Sequence, residues 1–94
     1  MKVKFDSKEV EMSFPFYILW EIGDYGFTLA RLNEDLSSFD LNFSIENKLE
    51  SAVFGEYGLH DLDYFVKENY ENQAAIKEKF EAAAQKLKIA IDAI

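Results

Sequence analysis

Hydrophobic and polar residues alternate with period two along much of the first half of the chain, then take up helical spacing. Val3 and Phe5 alternate with Lys2 and Lys4, and Val10, Met12 and Phe14 alternate with Glu9, Glu11 and Ser13. Asp6-Ser7-Lys8 lies between them with turn chemistry, so the first fourteen or so residues predict a β-hairpin. In FYILWEI, residues 16–22, Phe16, Ile18, Trp20 and Ile22 share one face of a strand, with Tyr17, Leu19 and Glu21 on the other. A short helix with Pro15 near its first turn competes with that strand. The strand is favoured because Gly23-Asp24-Tyr25-Gly26 then makes a hairpin loop into GFTLARL, where Phe27, Leu29 and Arg31 alternate with Thr28, Ala30 and Leu32.

A polar connection, Asn33 to Ser38, follows. Phe39, Leu41, Phe43 and Ile45 then alternate strictly with Asp40, Asn42, Ser44 and Glu46, which predicts an antiparallel sheet with one wet side. Beyond this the period changes. Leu49, Ala52 and Val53 suit a short helix or irregular turn ending near Gly55. Leu59, Leu62, Phe65 and Val66 share a helix face after Gly58, with Asp61 and Asp63 placed for an N-terminal turn. A last helix is expected from about Asn72 to Ile94, striped by Ile76, Phe80, Ala83, Leu87, Ala90 and Ile94. The stripe is heptad-like but short and interrupted by alanine, and Ala84 and Ile91 widen it into a face suited to a sheet. Ile89 falls on its polar side and is the position to inspect for an oligomer contact. The expected fold is α+β in one domain. Residues 1–46 form an N-terminal antiparallel β-meander of four to five strands, and 47–94 form helices that pack on it.

Composition sharpens this picture. The chain has 94 residues, 49% hydrophobic and 16% aromatic, which is enough apolar surface for a modest core. It has no cysteine, hence no disulfide and no thiolate chemistry. The N-terminal segment lacks a signal-peptide pattern, and the longest apolar run, Phe14 to Trp20, is too short to span a bilayer. A cytoplasmic protein is the expectation. Net charge is −8, and residues 16–72 carry twelve acids against Arg31, Lys48 and Lys67. Such a field repels nucleic acid and anionic membranes and steers toward a basic surface. Acidic charge also keeps small proteins in solution, and composition alone does not separate the two roles.

Catalytic motifs are missing. There is no G-x-x-x-x-G-K-[ST], G-x-G-x-x-G or G-x-S-x-G. His60-Asp61-Leu62-Asp63 offers an imidazole and two carboxylates, but a helix start sets positions 61 and 63 about 200° apart. The segment reads as a helix start, and neither metal nor cofactor is expected. Glu21 interrupts an apolar strand beside Trp20 and is expected to face solvent.

What remains is tyrosine beside acid: Asp24-Tyr25, Glu56-Tyr57, Asp63-Tyr64 and Tyr70-Glu71. Tyrosine carries binding energy at interfaces, and neighbouring carboxylates supply charge complementarity. The expected function is a protein-binding module without catalysis, of the inhibitor or immunity type, occluding a basic surface that belongs, in the sharpest version, to a nucleic-acid-binding protein. Asp24, Tyr25, Glu34, Asp35, Asp40, Glu56, Tyr57, Asp63 and Tyr64 are its candidate contact residues. The alternative is an assembly subunit that forms a homo-oligomer through the C-terminal helix or a sheet edge. A third reading, a small pocket enzyme near Trp20 and His60, requires Glu21, His60, Asp61 and Asp63 to converge.

Overall fold

The computed structural model describes residues 1–86. β1 (Lys2–Phe5) and β2 (Lys8–Glu11) pair as the expected hairpin, in a two-stranded sheet of their own. Asp6 and Ser7 both hold positive φ, 49° and 62°, as in the two-residue turns whose twist matches antiparallel strands.

β3 (Phe16–Glu21), β4 (Gly26–Leu32), β5 (Ser37–Ser44) and β6 (Leu49–Glu56) follow as a four-stranded antiparallel meander in chain order. α1 (Leu62–Asn69) and α2 (Gln73–Lys86) complete an α+β fold. Residues 16–21 are therefore strand, and the competing helix is excluded.

Residues paired across neighbouring strands share a face of the sheet. One face carries Tyr17, Leu19, Leu29, Phe39 and Leu41. α2 covers it with Ile76, Phe80 and Ala84, all buried. The other face carries Phe16, Ile18, Ala30 and Leu32, covered by α1 through Leu62 and Val66 and by the hairpin through Val3. The expectation of a wet side thus holds on part of the sheet, where Thr28 donates to Asn42 Oδ1 at 2.7 Å and Asn42 donates to Ser51 at 2.9 Å. At the start of β3 both faces are dry: neighbouring Tyr17 and Ile18 are 5% and 0% exposed. Burial on both sides gives a strand a continuous apolar run, as in FYIL.

The prediction of a helix or irregular turn over Leu49–Gly55 is corrected, since these residues lie in β6. Ala, Ser and Gly dilute the strand signal there, and Glu50 to Phe54 are exposed, so alternation has no core to mark. The change from strands to helices comes after Glu56, later than the expected residue 46. Two smaller corrections concern the helices. Leu59 precedes α1 in a short helical turn and is exposed, because that turn does not reach the core. On α2 the buried stripe runs Ile76, Phe80, Ala84, a steady spacing of four, and Ala83 sits at its edge. Leu87, Ile89, Ala90, Ile91 and Ile94 lie outside the described residues.

The two edges of the meander are treated differently. Along β3 the helices supply the missing strand: Tyr17 N–H donates to Gln73 Oε1 at 2.8 Å, and Gln73 Nε2 donates back to the Tyr17 carbonyl at 2.6 Å. Leu19 N–H donates to Asn69 Oδ1 at 3.0 Å. These side chains occupy backbone groups that otherwise template a further strand. No described helix is long and apolar enough to cross a membrane.

Candidate functional site

α1 packs on β1 and β3, and beside it, on the sheet face that carries Asp40, lies a pocket of about 570 Å³. Its walls are Trp20 from β3, Asp40 from β5, Glu56 and Tyr57 at the end of β6, and Asp61, Tyr64 and Phe65 from the start of α1. Phe65 is the hub. Its ring meets Trp20 at 5.5 Å, Tyr57 at 5.0 Å and Tyr64 at 5.3 Å between centroids, each nearly edge-to-face. Such geometry sets the positive rim of one ring against the negative face of the other. It holds the pocket's aromatics in place while leaving Trp20 41% and Tyr64 53% exposed.

Local backbone geometry places Tyr57. Leu36, in the β4–β5 connection, has a φ of 69°, unusual for a branched apolar residue. Its carbonyl accepts the Tyr57 N–H at 2.9 Å, tying the end of β6 to that connection. Tyr57 is then half-buried, and burial pushes its phenol well above the ordinary tyrosine range, with the Asp40 charge adding to the shift.

Asp40 forms the floor. Burial pushes its carboxyl above the usual value, against a smaller downward pull from the nearby Ser38 hydroxyl. Asp40 Oδ1 and Ser38 Oγ are both buried, and neither makes a hydrogen bond of good geometry. Gly55 packs directly against this pair. A Cβ there would stand 3.1 Å from Asp40 Oδ2 and 3.2 Å from Ser38 Oγ, so any side chain would crowd the carboxylate. Buried polar groups in folded proteins nearly always have partners, and a carboxylate supported by Ser38 alone beside an open pocket is suited to a ligand that brings donors.

The cost of this arrangement gives a pH prediction. Because the native carboxyl binds its proton more tightly than the unfolded one, stability falls as pH rises from the ordinary value of 3.8 through the raised native value. The penalty is fully present above that window. Asp40→Asn is therefore expected to raise the thermal midpoint at pH 7, with the gain fading below about pH 4. Solvent screening on the open side limits the effect to about 1 kcal/mol, roughly 5 °C for a domain of this size. Glu56, Asp61 and Tyr57 face the same pocket and are unchanged in the variant. Calorimetry at pH 7 and pH 3.5 checks this, and equal gains at both would refute the assignment.

The structure thus brings Asp40, Glu56, Tyr57 and Tyr64 together and separates the other candidates from them. Asp24 and Tyr25 lie in the β3–β4 connection, where Tyr25 is 84% exposed. Glu34 and Asp35 lie in the β4–β5 connection. Asp35 is engaged locally: it accepts from the Ser37 hydroxyl and, at 3.0 Å, from the Ser37 N–H, and these bonds lower its pKa. Asp63 is on α1 but outside the pocket wall, and its Oδ1 accepts the Tyr64 N–H at 2.8 Å. Trp20, Asp61 and Phe65 belong to the site without having been among the predicted contact residues. Trp20 and Phe65 are 45 positions apart in the sequence, and no local pattern announces that they meet.

Glu21, His60, Asp61 and Asp63 are all exposed, so the convergence required by the pocket-enzyme reading is not seen. The His60 Nε2 lies 3.4 Å from Asp61 Oδ2 at the surface, and Asp61 precedes α1 without a side-chain capping bond. A neighbouring groove of about 520 Å³ runs along β3 past Glu21, Glu68 and Asn69. Its most buried polar group is already satisfied, since Asn69 bonds both Leu19 N–H and, at 2.9 Å, the Phe65 carbonyl. The Asp40 pocket combines exposed aromatic surface with a half-buried carboxylate, which suits it to hold a cation. No family model, curated protein or solved structure matches the chain.

Proposed function

We propose that this protein is a binding module that occludes a basic surface on a protein partner, in the manner of an inhibitor or immunity-type protein. The observation that supports this reading is the exposure of Trp20 and Tyr64 on the same wall as Asp40, Glu56 and Asp61. Aromatic anchors within a polar rim are a common arrangement at the energetic centre of an interface. The acid-rich middle of the chain, with twelve acids over residues 16–72, steers a cationic partner toward that face. A nucleic-acid-binding protein presents such a surface.

Immobilised protein is expected to retain a basic partner at low salt and release it at high salt, as screening weakens the contact. The variant Glu56→Lys, Asp61→Lys reverses two exposed rim charges and is expected to weaken retention by at least roughly tenfold. Equal retention by both forms would place the contact elsewhere.

Assembly is the second reading, favoured by the contrast between the sheet edges. β3 is capped by Gln73 and Asn69, whereas β6 exposes Val53 at 45% and Phe54 at 77%. Sedimentation of the same sample decides between them: a mass rising with concentration, with no partner retained, moves assembly to the front.

A further inference from the structure

We infer that the Asp40 pocket receives a single arginine side chain of the partner, paired with the carboxylate and flanked by Trp20, Tyr57 and Tyr64. This deepens the binding-module reading and rests on it. Asp40 supplies the negative charge on the pocket lining, and the Ser38 hydroxyl, buried behind it and outside the lining, supports the carboxylate. The walls are aromatic, which attracts a cation through the ring quadrupoles. Glu56 and Asp61 add negative charge at the mouth.

These features discriminate among cations. A guanidinium has several N–H donors in one plane, so it can bond the carboxylate while its face lies against the rings. It is more weakly hydrated than an ammonium, which lowers the cost of entering a half-buried site, and it stacks on aromatic rings. A lysine ammonium matches the charge but not the planar fork. A quaternary ammonium satisfies the rings but brings no donor for the carboxylate. A metal ion would find one carboxylate and aromatic carbon, since Glu56 and Asp61 stand at the exposed rim.

Trp20 is the single tryptophan of the chain, so intrinsic emission reports directly on the pocket. The full chain is titrated with N-acetyl-arginine amide, N-acetyl-lysine amide, N-acetyl-citrulline amide and tetramethylammonium chloride. The arginine probe is expected to give a saturable change with a dissociation constant on the order of millimolar, as suits one unanchored side chain. Citrulline, which keeps the shape without the charge, should bind at least roughly tenfold more weakly, with lysine and tetramethylammonium also weaker than arginine. Asp40→Asn and Tyr64→Ala should each weaken the arginine response by roughly tenfold or less, and both positions tolerate the change because one is isosteric and the other exposed. Glu78→Gln, which removes an exposed acid from α2 on the opposite face, should leave it unchanged. Non-saturable emission, equal responses to arginine and citrulline, or full binding by Asp40→Asn would each overturn the assignment. A flat arginine titration alongside charge-dependent capture of a basic partner would remove the arginine site but keep the binding face. Saturable arginine binding without any partner captured would keep the pocket and remove the partner reading.

Discussion

Phe80→Ala is expected to lower the stability of the chain by about 3–5 kcal/mol, enough to leave much of it unfolded at ambient temperature. Phe80 is 0% exposed, and its ring lies 5.6 Å from that of Tyr17 and 6.3 Å from that of Phe39. It therefore ties α2 to β3 and β5 at once. Its neighbours in the stripe are Ile76, four residues before, and Ala84, four after, and alanine cannot fill a space left by a phenyl ring. The loss combines the transfer free energy of the ring with the cavity that the sheet cannot close. Phe80→Leu keeps most of the volume and should cost about 1.5 kcal/mol or less. Thermal melts followed by circular dichroism test both. A Phe80→Ala midpoint within about 2 °C of the parent would mean that α2 contributes little to the fold, against the packing described above.

The second large effect is expected at Gly26. Its φ is 137°, and a Cβ built there collides with the carbonyl oxygen of Phe43 on the adjacent strand. Gly26 opens β4 opposite Ser44, one step from the Phe27–Phe43 pair, whose rings stack at 4.8 Å. Relief of the collision would pull the β4–β5 ladder apart where it begins. Gly26→Ala should therefore destabilise by roughly 3 kcal/mol or more. Gly23 makes the comparison internal to the same connection. Its φ of 53° is also left-handed, but a Cβ there meets nothing within 4 Å. Gly23→Ala should cost about 1–2 kcal/mol, the backbone preference without the collision. Urea denaturation of the two variants checks the order, and equal losses would show that the close approach to Phe43 is relieved by small shifts.

Both predictions have binding consequences. Phe80 supports the sheet from the face opposite the pocket, and Gly26 sets the ladder that carries Asp40 on β5. A variant that loosens either should blur the arginine response by lowering the folded fraction, whereas Asp40→Asn changes the pocket and is expected to raise stability. The opposite signs separate a binding role from a scaffolding one. A residue whose removal stabilises the protein is commonly one retained for function.

The local elements were legible where a periodic pattern met one dry face. The alternation around Phe39 and Leu41 became β5, the Asp6-Ser7 turn closed the hairpin, and the Ile76–Phe80 spacing became α2. Where burial departs from one-sidedness, the pattern misleads. β3 is dry on both faces at its start, where a helix competed with the favoured strand, while β6 is exposed at the edge and read as helix or turn. Hydrophobic periodicity records how many sides of a segment are dry, and it identifies secondary structure only when that number is one.

The site divides along the same line. Residue types were visible in sequence: tyrosines beside acids, and an acid-rich middle of the chain. Their meeting was not, because Trp20, Asp40, Tyr57 and Phe65 come from β3, β5, the end of β6 and α1. By itself the sequence determined the α+β order, the hairpin turn, the first two positions of the last helix's buried stripe, Ile76 and Phe80, and the sign of the field. Tertiary structure alone decided that Asp40 lies half-buried on the pocket lining against Gly55 while Asp35 is engaged by Ser37 at the surface. The reason is physical: local pattern sets which surface of each segment seeks the core, but a carboxylate's surroundings depend on which distant backbone comes to lie across from it.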